Sequence, residues 1–552
     1  MKSYLEMTKE ELQALHDELS IQYEEEKAKG YDLDMSRGKP SPNQLTLSME
    51  MYRNNDTEHW RSEDGTDCRN YGAFDGVIEG KRLMSWIMDC REDQVIMGGN
   101  SSLSMMYDCV VRAMMFGILG SKPWKDYAKI SFLCPVPGYD RHFKICEQMG
   151  INMINVPMTS TGPDMDIVEK LVSSDETIKG IWCVPKFSNP DGTVYSAETV
   201  KRMAALKPAA KDFRVFWDNA YAIHYLYKDN QPKIPNILEE CEKAGNPDLV
   251  YEFSSTSKVT FSGSGLAAFA ASDRNLKEYR KGMSVRTIGY DKMNMLRHAD
   301  FLNSPRRLMD HMMEEAEFIR PKFRLVEQIL ETELAGTGAG RWSRPLGGYF
   351  VSFDAYTGCA AKIVEKCKAC GVTLTPAGAS FPYGKDPRDS NIRLAPTFPS
   401  IYELTDAMKL FVLCVKLAVI EKIMQEKDTD PVIYKVFTEK DYEKMLSIED
   451  SREKVTYYTE PYEDWVVKIT HKPQRFKRER MLYIVQLNHY LGDNLANDDL
   501  YWRAEPKKFF NGTPSLRQIW DALQGNLDYF NDKEEFHMAK LNLQFDKIEF
   551  DS

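Results

Sequence analysis

Arg214-Val215-Phe216-Trp217-Asp218-Asn219-Ala220-Tyr221 reads as a short apolar strand that ends on a carboxylate and then turns. An unbroken run of β-branched and aromatic residues marks a strand covered on both faces. Gln94–Met97, Ile130–Cys134 and Ile181–Pro185 repeat the pattern, each followed by a turn and then by helical periodicity. From about Met35 to Gln425 short apolar runs alternate with amphipathic helical stretches, which specifies an α/β fold, a mostly parallel sheet with helices on both faces. In such a sheet ligands bind in the crevice outside the strand ends, so the Asp218 carboxylate is placed where chemistry is done.

The 552 residues are enough for two to four domains. With 72 basic against 83 acidic side chains, the net charge of −11 argues against a chain built to coat nucleic acid or an anionic membrane. A small-molecule enzyme is the class that remains. Eleven cysteines, an odd number scattered from Cys68 to Cys414, do not form a secreted disulfide framework and imply a reduced, cytoplasmic setting. The start lacks an apolar core of signal-peptide length, so no export signal is expected. The most apolar stretch, Ala407–Ile423, is interrupted by Lys409, Lys416, Glu421 and Lys422 and reads as a packed helix, not a membrane span.

The expected organisation is residues 1–50 as an N-terminal helix (from Lys9 to about Lys29) and arm that joins the small lobe, and residues 51–330 as the large domain. Residues 331–426 follow as a small lobe opened by Gly347-Gly348-Tyr349-Phe350-Val351, and residues 427–552 as an appended α+β domain of unknown role. In the appendage a strand is expected at Trp465–Thr470, helices at Glu479–Tyr490 and Ser515–Tyr529, and a last strand at Lys540–Phe550. No catalytic motif is visible there.

Four strings carry the chemistry. Ser254-Ser255-Thr256-Ser257-Lys258 places an amine behind a run of hydroxyls, 40 residues after Asp218. Ser188-Asn189-Pro190-Asp191-Gly192 follows a strand, where Pro and Gly force a turn that aims the Asn side chain out of the strand end. Met97-Gly98-Gly99-Asn100-Ser101-Ser102 lies between strand and helix, so backbone N–H groups and the helix dipole suit a phosphate. Each string alone is weak. Cys367-Lys368-Ala369-Cys370 has no second ligand pair, so no metal site is expected, and the basic run His471–Arg480 reads as a solvated helix start. Met105-Met106 and Met114-Met115 fit the core-facing side of a helix.

Taken together, in this order and at these spacings, the four strings resemble pyridoxal-phosphate enzymes of fold type I. Arg37-Gly38-Lys39-Pro40, Pro137-Gly138-Tyr139-Asp140-Arg141-His142 and Asn391-Ile392-Arg393-Leu394 look most like the MocR-like aminotransferase family, which includes a divergent aspartate aminotransferase subgroup. The resemblance covers about residues 30–425 and implies pyridoxal 5′-phosphate as cofactor. It implies Lys258 as the aldimine-forming amine, Asp218 at the pyridine nitrogen with His142 behind it, and Asn189 and Tyr221 at the phenolic oxygen. Tyr139 would stack on the ring. Gly99, Asn100, Ser101, Ser255 and Ser257 would hold the phosphate, and Tyr71 would reach the phosphate of a neighbouring subunit in a homodimer with shared active sites.

Arg393 would take the substrate α-carboxylate and Gly38 would let the N-terminal segment pass close over it. The implied reaction is ping-pong transfer of an amino group, with aspartate favoured as donor, to a 2-oxo acid such as 2-oxoglutarate. Arg37, Lys39 and Arg286 are the cations that suit an acidic substrate. Many relatives carry Arg eight residues after the lysine, whereas this chain has Leu266, leaving Ser262, Gly263 and Ser264 to substitute. Another reaction on the same scaffold, an amino-acid β-decarboxylase or β-lyase, stays open. A ligand-sensing regulator is less favoured, because only about thirty residues precede the motif region where such regulators carry a DNA-binding module.

Overall fold

The computed structural model describes residues 2–53, 59–428 and five strand segments between 455 and 504. It divides into two compact units, one of Met1–Ser3 with Leu15–Val419, the other of Tyr4–Ala14 with the chain from Ile420 onward. In the first unit, β1 (Leu33–Asp34) precedes the strands of one eight-stranded sheet. These are β2 (Val95–Met97), β3 (Ser131–Val136), β4 (Asn152–Thr159), β5 (Gly162–Pro163), β6 (Ile178–Cys183), β7 (Arg214–Asp218), β8 (Val250–Ser255) and β9 (Ala267–Ala270). Their order is β2-β9-β8-β7-β6-β3-β4-β5.

β3 with β4, β3 with β6, β6 with β7, and β7 with β8 are parallel. β9 runs antiparallel to both β8 and β2, so β2 points the same way as β8. The segments that follow β2, β3, β6, β7 and β8 therefore leave the sheet at one edge, and these segments contain the glycine turn, Tyr139, Asn189, the Asp218–Tyr221 turn and Lys258. Each of β3, β6, β7 and β8 is buried along its whole length. That explains their mostly apolar character, and the charges they do bury are partnered, Lys179 by Asp212 at 2.8 Å and Glu252 by Asn219 at 2.9 Å. Phe216 lies between Phe132, at 5.5 Å between ring centroids, and Phe253, at 6.0 Å.

The strands expected at Gln94–Met97, Ile130–Cys134 and Arg214–Trp217 are present within a residue or two. The one expected at Ile181–Pro185 starts earlier and stops at Cys183. Pro185 lies in the turn that follows, since proline cannot donate to the ladder. Met105 and Met106 are buried as expected, but Met115 is 48% exposed, because the helix Ser102–Phe116 turns that position outward in its last turn.

A smaller antiparallel sheet is made of β10 (Gly340–Trp342), β11 (Val351–Ala355) and β13 (Asn391–Leu394). β12 (Val372–Thr373) pairs in parallel with β1, which ties the N-terminal arm to this part of the chain. The apolar stretch at Ala407–Ile423 lies inside the helix Ile401–Asp428, and Phe411 meets Phe353 edge-on at 5.1 Å. No helix among the described residues is long and apolar enough to cross a membrane.

In the second unit β14 (Val455–Tyr458), β15 (Trp465–Pro473), β16 (Met481–Leu491), β17 (Asn494–Leu495) and β18 (Leu500–Ala504) form an antiparallel sheet. β15 contains the expected strand. The helix expected at Glu479–Tyr490 is instead β16, paired with β15 from Trp465↔His489 to Pro473↔Met481. Tyr483, Ile484, Val485 and Tyr490 favour a pleated strand, and the ladder to β15 supplies its hydrogen bonds. The helix expected at Ser515–Tyr529 and the strand at Lys540–Phe550 lie outside the described residues.

Candidate active site

Asp218 is the last residue of β7 and is 4% exposed. Its Oδ2 is hydrogen-bonded to His142 Nε2 at 2.9 Å, and the His142 ring stacks on Trp182 at 4.5 Å. Its Oδ1 is buried with no partner. A buried carboxylate oxygen without a donor is costly unless something supplies one. His142 occupies the first turn of the helix Asp140–Met149, and Tyr139, just before that helix, stands edge-on to it at 4.9 Å.

Lys258 follows the end of β8. Its ammonium nitrogen lies 4.9 Å from the centre of the Tyr221 ring and 5.9 Å from that of Tyr349. Burial lowers the Lys258 pKa, opposed by the negative charge of Asp218. The lysine backbone is fixed from outside the loop. Tyr349 Oη donates to the Lys258 carbonyl at 3.4 Å, the same carbonyl lies 3.3 Å from His224 Nε2, and the Val259 carbonyl lies 2.7 Å from His311 Nε2. Burial pushes His224 down to about 3, so it is neutral at ordinary pH.

At the other end of the crevice Gly99 has φ +81, and a side chain there would press on the Tyr290 ring. Ser101 caps the helix Ser102–Phe116 by accepting from Ser104 N at 3.2 Å. Ser255 Oγ donates to Ser257 Oγ at 3.0 Å, and Ser257 Oγ donates to the Asn100 carbonyl at 3.4 Å. Asn100 Nδ2 donates to the Gly263 carbonyl at 2.9 Å. The five expected phosphate residues thus come together with the Ser262–Ser264 loop. Leu266 is 2% exposed and packs as a core side chain, so no cation occupies that position.

Arg393, on β13, is 8% exposed and its guanidinium lies 4.9 Å from the centre of the Phe350 ring. It donates to Asn189, Asp140 and Thr375. Gly38 lies against Phe350, and a Cβ there would run into the ring. Tyr71 is 79% exposed, and no hydrogen bond among the described residues joins it to the others. Of the three cations suited to an acidic substrate, Arg286 is held by Asp108 at 2.5 Å, Lys39 sits 3.7 Å over the Phe398 ring, and Arg37 is exposed. Sequence reading missed His224, Tyr349, Thr375 and Phe350 as site residues. Phe350 and Tyr349 stand in the quoted Gly347–Val351 string, whereas Thr375 has no local signature.

A family model described as aspartate amino-transferase matches residues 7–427. The chain belongs to this aminotransferase family. An aspartate aminotransferase of Corynebacterium glutamicum is 41% identical over 413 residues, covering 75% of this chain and 95% of its own. The crystal structure of an aspartate transaminase from the same species matches with a TM-score of 0.74 at 40% identity, over 76% of this chain and 99% of that one. A kynurenine aminotransferase of Pyrococcus horikoshii, 17% identical with a TM-score of 0.58 over 75% of this chain and 95% of that one, shares the fold alone. The aminotransferase therefore has the fold-type-I architecture. Pyridoxal 5′-phosphate fits the residues present: the unpartnered Asp218 Oδ1 suits a pyridine N–H, and the glycine turn, hydroxyls and helix start suit its phosphate.

Proposed function

We propose that this aminotransferase is pyridoxal 5′-phosphate dependent and moves the amino group of aspartate to a 2-oxo acid such as 2-oxoglutarate in two half-reactions. It works as a cytoplasmic homodimer in which Tyr71 serves the neighbouring active site. The observation that carries this reading is the buried His142–Asp218 pair with one carboxylate oxygen open, at the same sheet edge as the Lys258 amine. The aspartate preference is supported by the C. glutamicum relative of that name. The strings around Gly38, Tyr139 and Arg393 support a place among the MocR-like aminotransferases. The eleven cysteines form no disulfide among the described residues, which supports the compartment.

When bound, the cofactor supplies an aldehyde that captures amines and a ring that takes up the electron pair left when the Cα–H bond breaks. Lys258 would hold the cofactor at rest and, once displaced, its amine would be the group to move the proton from the substrate Cα. Its lowered pKa raises the fraction of free amine, the form that does both jobs. Asp218 keeps the ring nitrogen protonated through Oδ1, while His142 fixes the carboxylate through Oδ2.

Asn189 Oδ1 accepts from Arg393 at 3.3 Å, which leaves its Nδ2 to donate to the phenolic oxygen. Burial pushes Tyr221 well above the usual tyrosine range, so it stays a donor to the same oxygen. Tyr139 covers the ring face. Arg393 binds the substrate α-carboxylate. Gly99, Asn100 and Ser101 would offer N–H groups to the phosphate, and the Ser255 and Ser257 hydroxyls would turn from Ser257 and the Asn100 carbonyl to donate to it.

The test is a half-reaction screen in which the holoenzyme is mixed with each amino acid and the loss of cofactor absorbance is followed. Aspartate is expected to react fastest. An aspartate rate no greater than that of alanine would remove the specificity, and carbon dioxide or pyruvate released without a 2-oxo acid would replace transamination with decarboxylation or lyase chemistry.

A further inference from the structure

A guanidinium has five N–H donors, distributed as one on Nε and two on each terminal nitrogen. In Arg393, Nη1 donates to Asp140 Oδ1 at 2.9 Å and to Asn189 Oδ1 at 3.3 Å, and Nη2 donates to Thr375 Oγ1 at 3.1 Å. Nε is buried and has no partner. What remains is the Nε hydrogen and one on Nη2, and Nε with Nη2 forms one edge of the planar group, the edge from which a carboxylate can take two parallel hydrogen bonds. The Phe350 ring lies against the guanidinium, and the pairing of Ser352 with Arg393 fixes the stem of the side chain.

Of the three partners only Asp140 is charged. It is the first residue of the helix Asp140–Met149, where a carboxylate is favoured by the helix dipole. The same turn includes His142, on Asp218, and is preceded by Tyr139. One helical turn on the large sheet therefore grips the arginine from the small sheet and also fixes the ring-nitrogen carboxylate. The other oxygen of Asp140 is 4.0 Å from Arg141 Nε, a mostly exposed side chain.

We propose that Asp140 is the positioning residue of the substrate-binding arginine, holding the Nη1 edge of Arg393 so that the Nε and Nη2 donors stay open to the α-carboxylate. This deepens the proposed function and rests on its reading of Arg393. An arginine side chain loses rotamer freedom on being ordered. A fixed anionic partner removes that cost before substrate arrives, so its loss weakens binding of any ligand that carries the carboxylate. The amino acid and the 2-oxo acid share that carboxylate. Both should respond alike.

The experiment compares wild type, Asp140→Asn, Asp140→Ala and Arg393→Lys as holoenzymes. It reads KM for aspartate and for 2-oxoglutarate, kcat, the melting temperature, and the calorimetric Kd of succinate, which binds without reacting. Asp140→Ala is expected to raise both KM values and the succinate Kd roughly 10-fold, the size of one lost charge-assisted hydrogen bond, with kcat much less affected. Asp140→Asn, which keeps the shape and one weaker acceptor, should fall between. Unchanged or lowered KM and Kd in the Asp140 variants, with Arg393→Lys raising both, would overturn the positioning role and make Asp140 a bystander or a competitor. Unchanged KM and Kd in Arg393→Lys would overturn the arginine assignment itself, and the role of Asp140 with it.

Discussion

The two ends of the candidate site are built from different materials. At the Asp218 end the groups are ionisable side chains, each fixed by a named neighbour: Asp218 by His142, His142 by Trp182, and the Lys258 backbone by Tyr349 and His224. At the Gly99 end no arginine stands at position 266, and the groups gathered there are backbone N–H donors and serine hydroxyls that bond to one another. On the proposed reading, charge does the work where electrons move in the reaction. Many weak donors, gathered at a helix start, are enough where an anion has only to be held.

That contrast predicts a graded response to mutation. Lys258→Ala removes the amine proposed to carry the proton and should lower turnover by on the order of 10² to 10⁴-fold in the aspartate half-reaction, with bound cofactor measured separately. Asp218→Asn removes the charge but keeps the shape, and a loss of roughly 10² in kcat is expected, read in the same assay. An equal loss in cofactor affinity and none in kcat would place Asp218 with the phosphate end instead. Ser257→Ala removes one neutral donor, and the Kd of pyridoxal 5′-phosphate by equilibrium dialysis should rise about 5-fold with kcat at saturation retained. A loss of 10²-fold or more in kcat from that single hydroxyl would erase the distinction between the ends.

The smallest effect concerns a carboxyl beneath the lysine loop. Glu315 is 2% exposed and accepts from Gln44 Nε2 at 2.6 Å, Gln44 Nε2 also donates to Tyr349 Oη at 3.1 Å, and the nearest imidazole nitrogen, His311 Nε2, is 3.9 Å away. Burial without a cation raises its pKa to about 8, far above the unfolded value of about 4.3. The folded protein therefore binds the proton more tightly, and this contribution to stability is complete below the unfolded value and is lost as pH rises toward 8. Glu315→Gln should flatten the fall in melting temperature between pH 5 and pH 8. An unchanged slope would mean that the carboxyl is already ionised.

Much of this was legible along the chain, for reasons that differ between residues. Asp218, Asn189 and Lys258 stand just past apolar strands, where short-range sequence fixes both the strand and the exit of the side chain. Gly99 and Ser101 were readable as a turn before a helix. His224, Thr375 and Tyr349 come to the site only through packing between distant segments, and no local spacing announces that. The strand at Met481–Leu491 shows the opposite failure: the segment reads as a helix along the chain, and the neighbouring strand decides the matter. Met115 was placed inward by its pairing with Met114, yet the helix turns it outward near its end.

The most direct measurement is to reduce the cofactor-loaded protein with borohydride, digest it and locate the pyridoxyl mass by peptide sequencing. The whole label is expected on Lys258, at one per chain, and an amino acid added before reduction should prevent it. Label on another lysine, or none on a protein that has taken up the cofactor, would contradict the account.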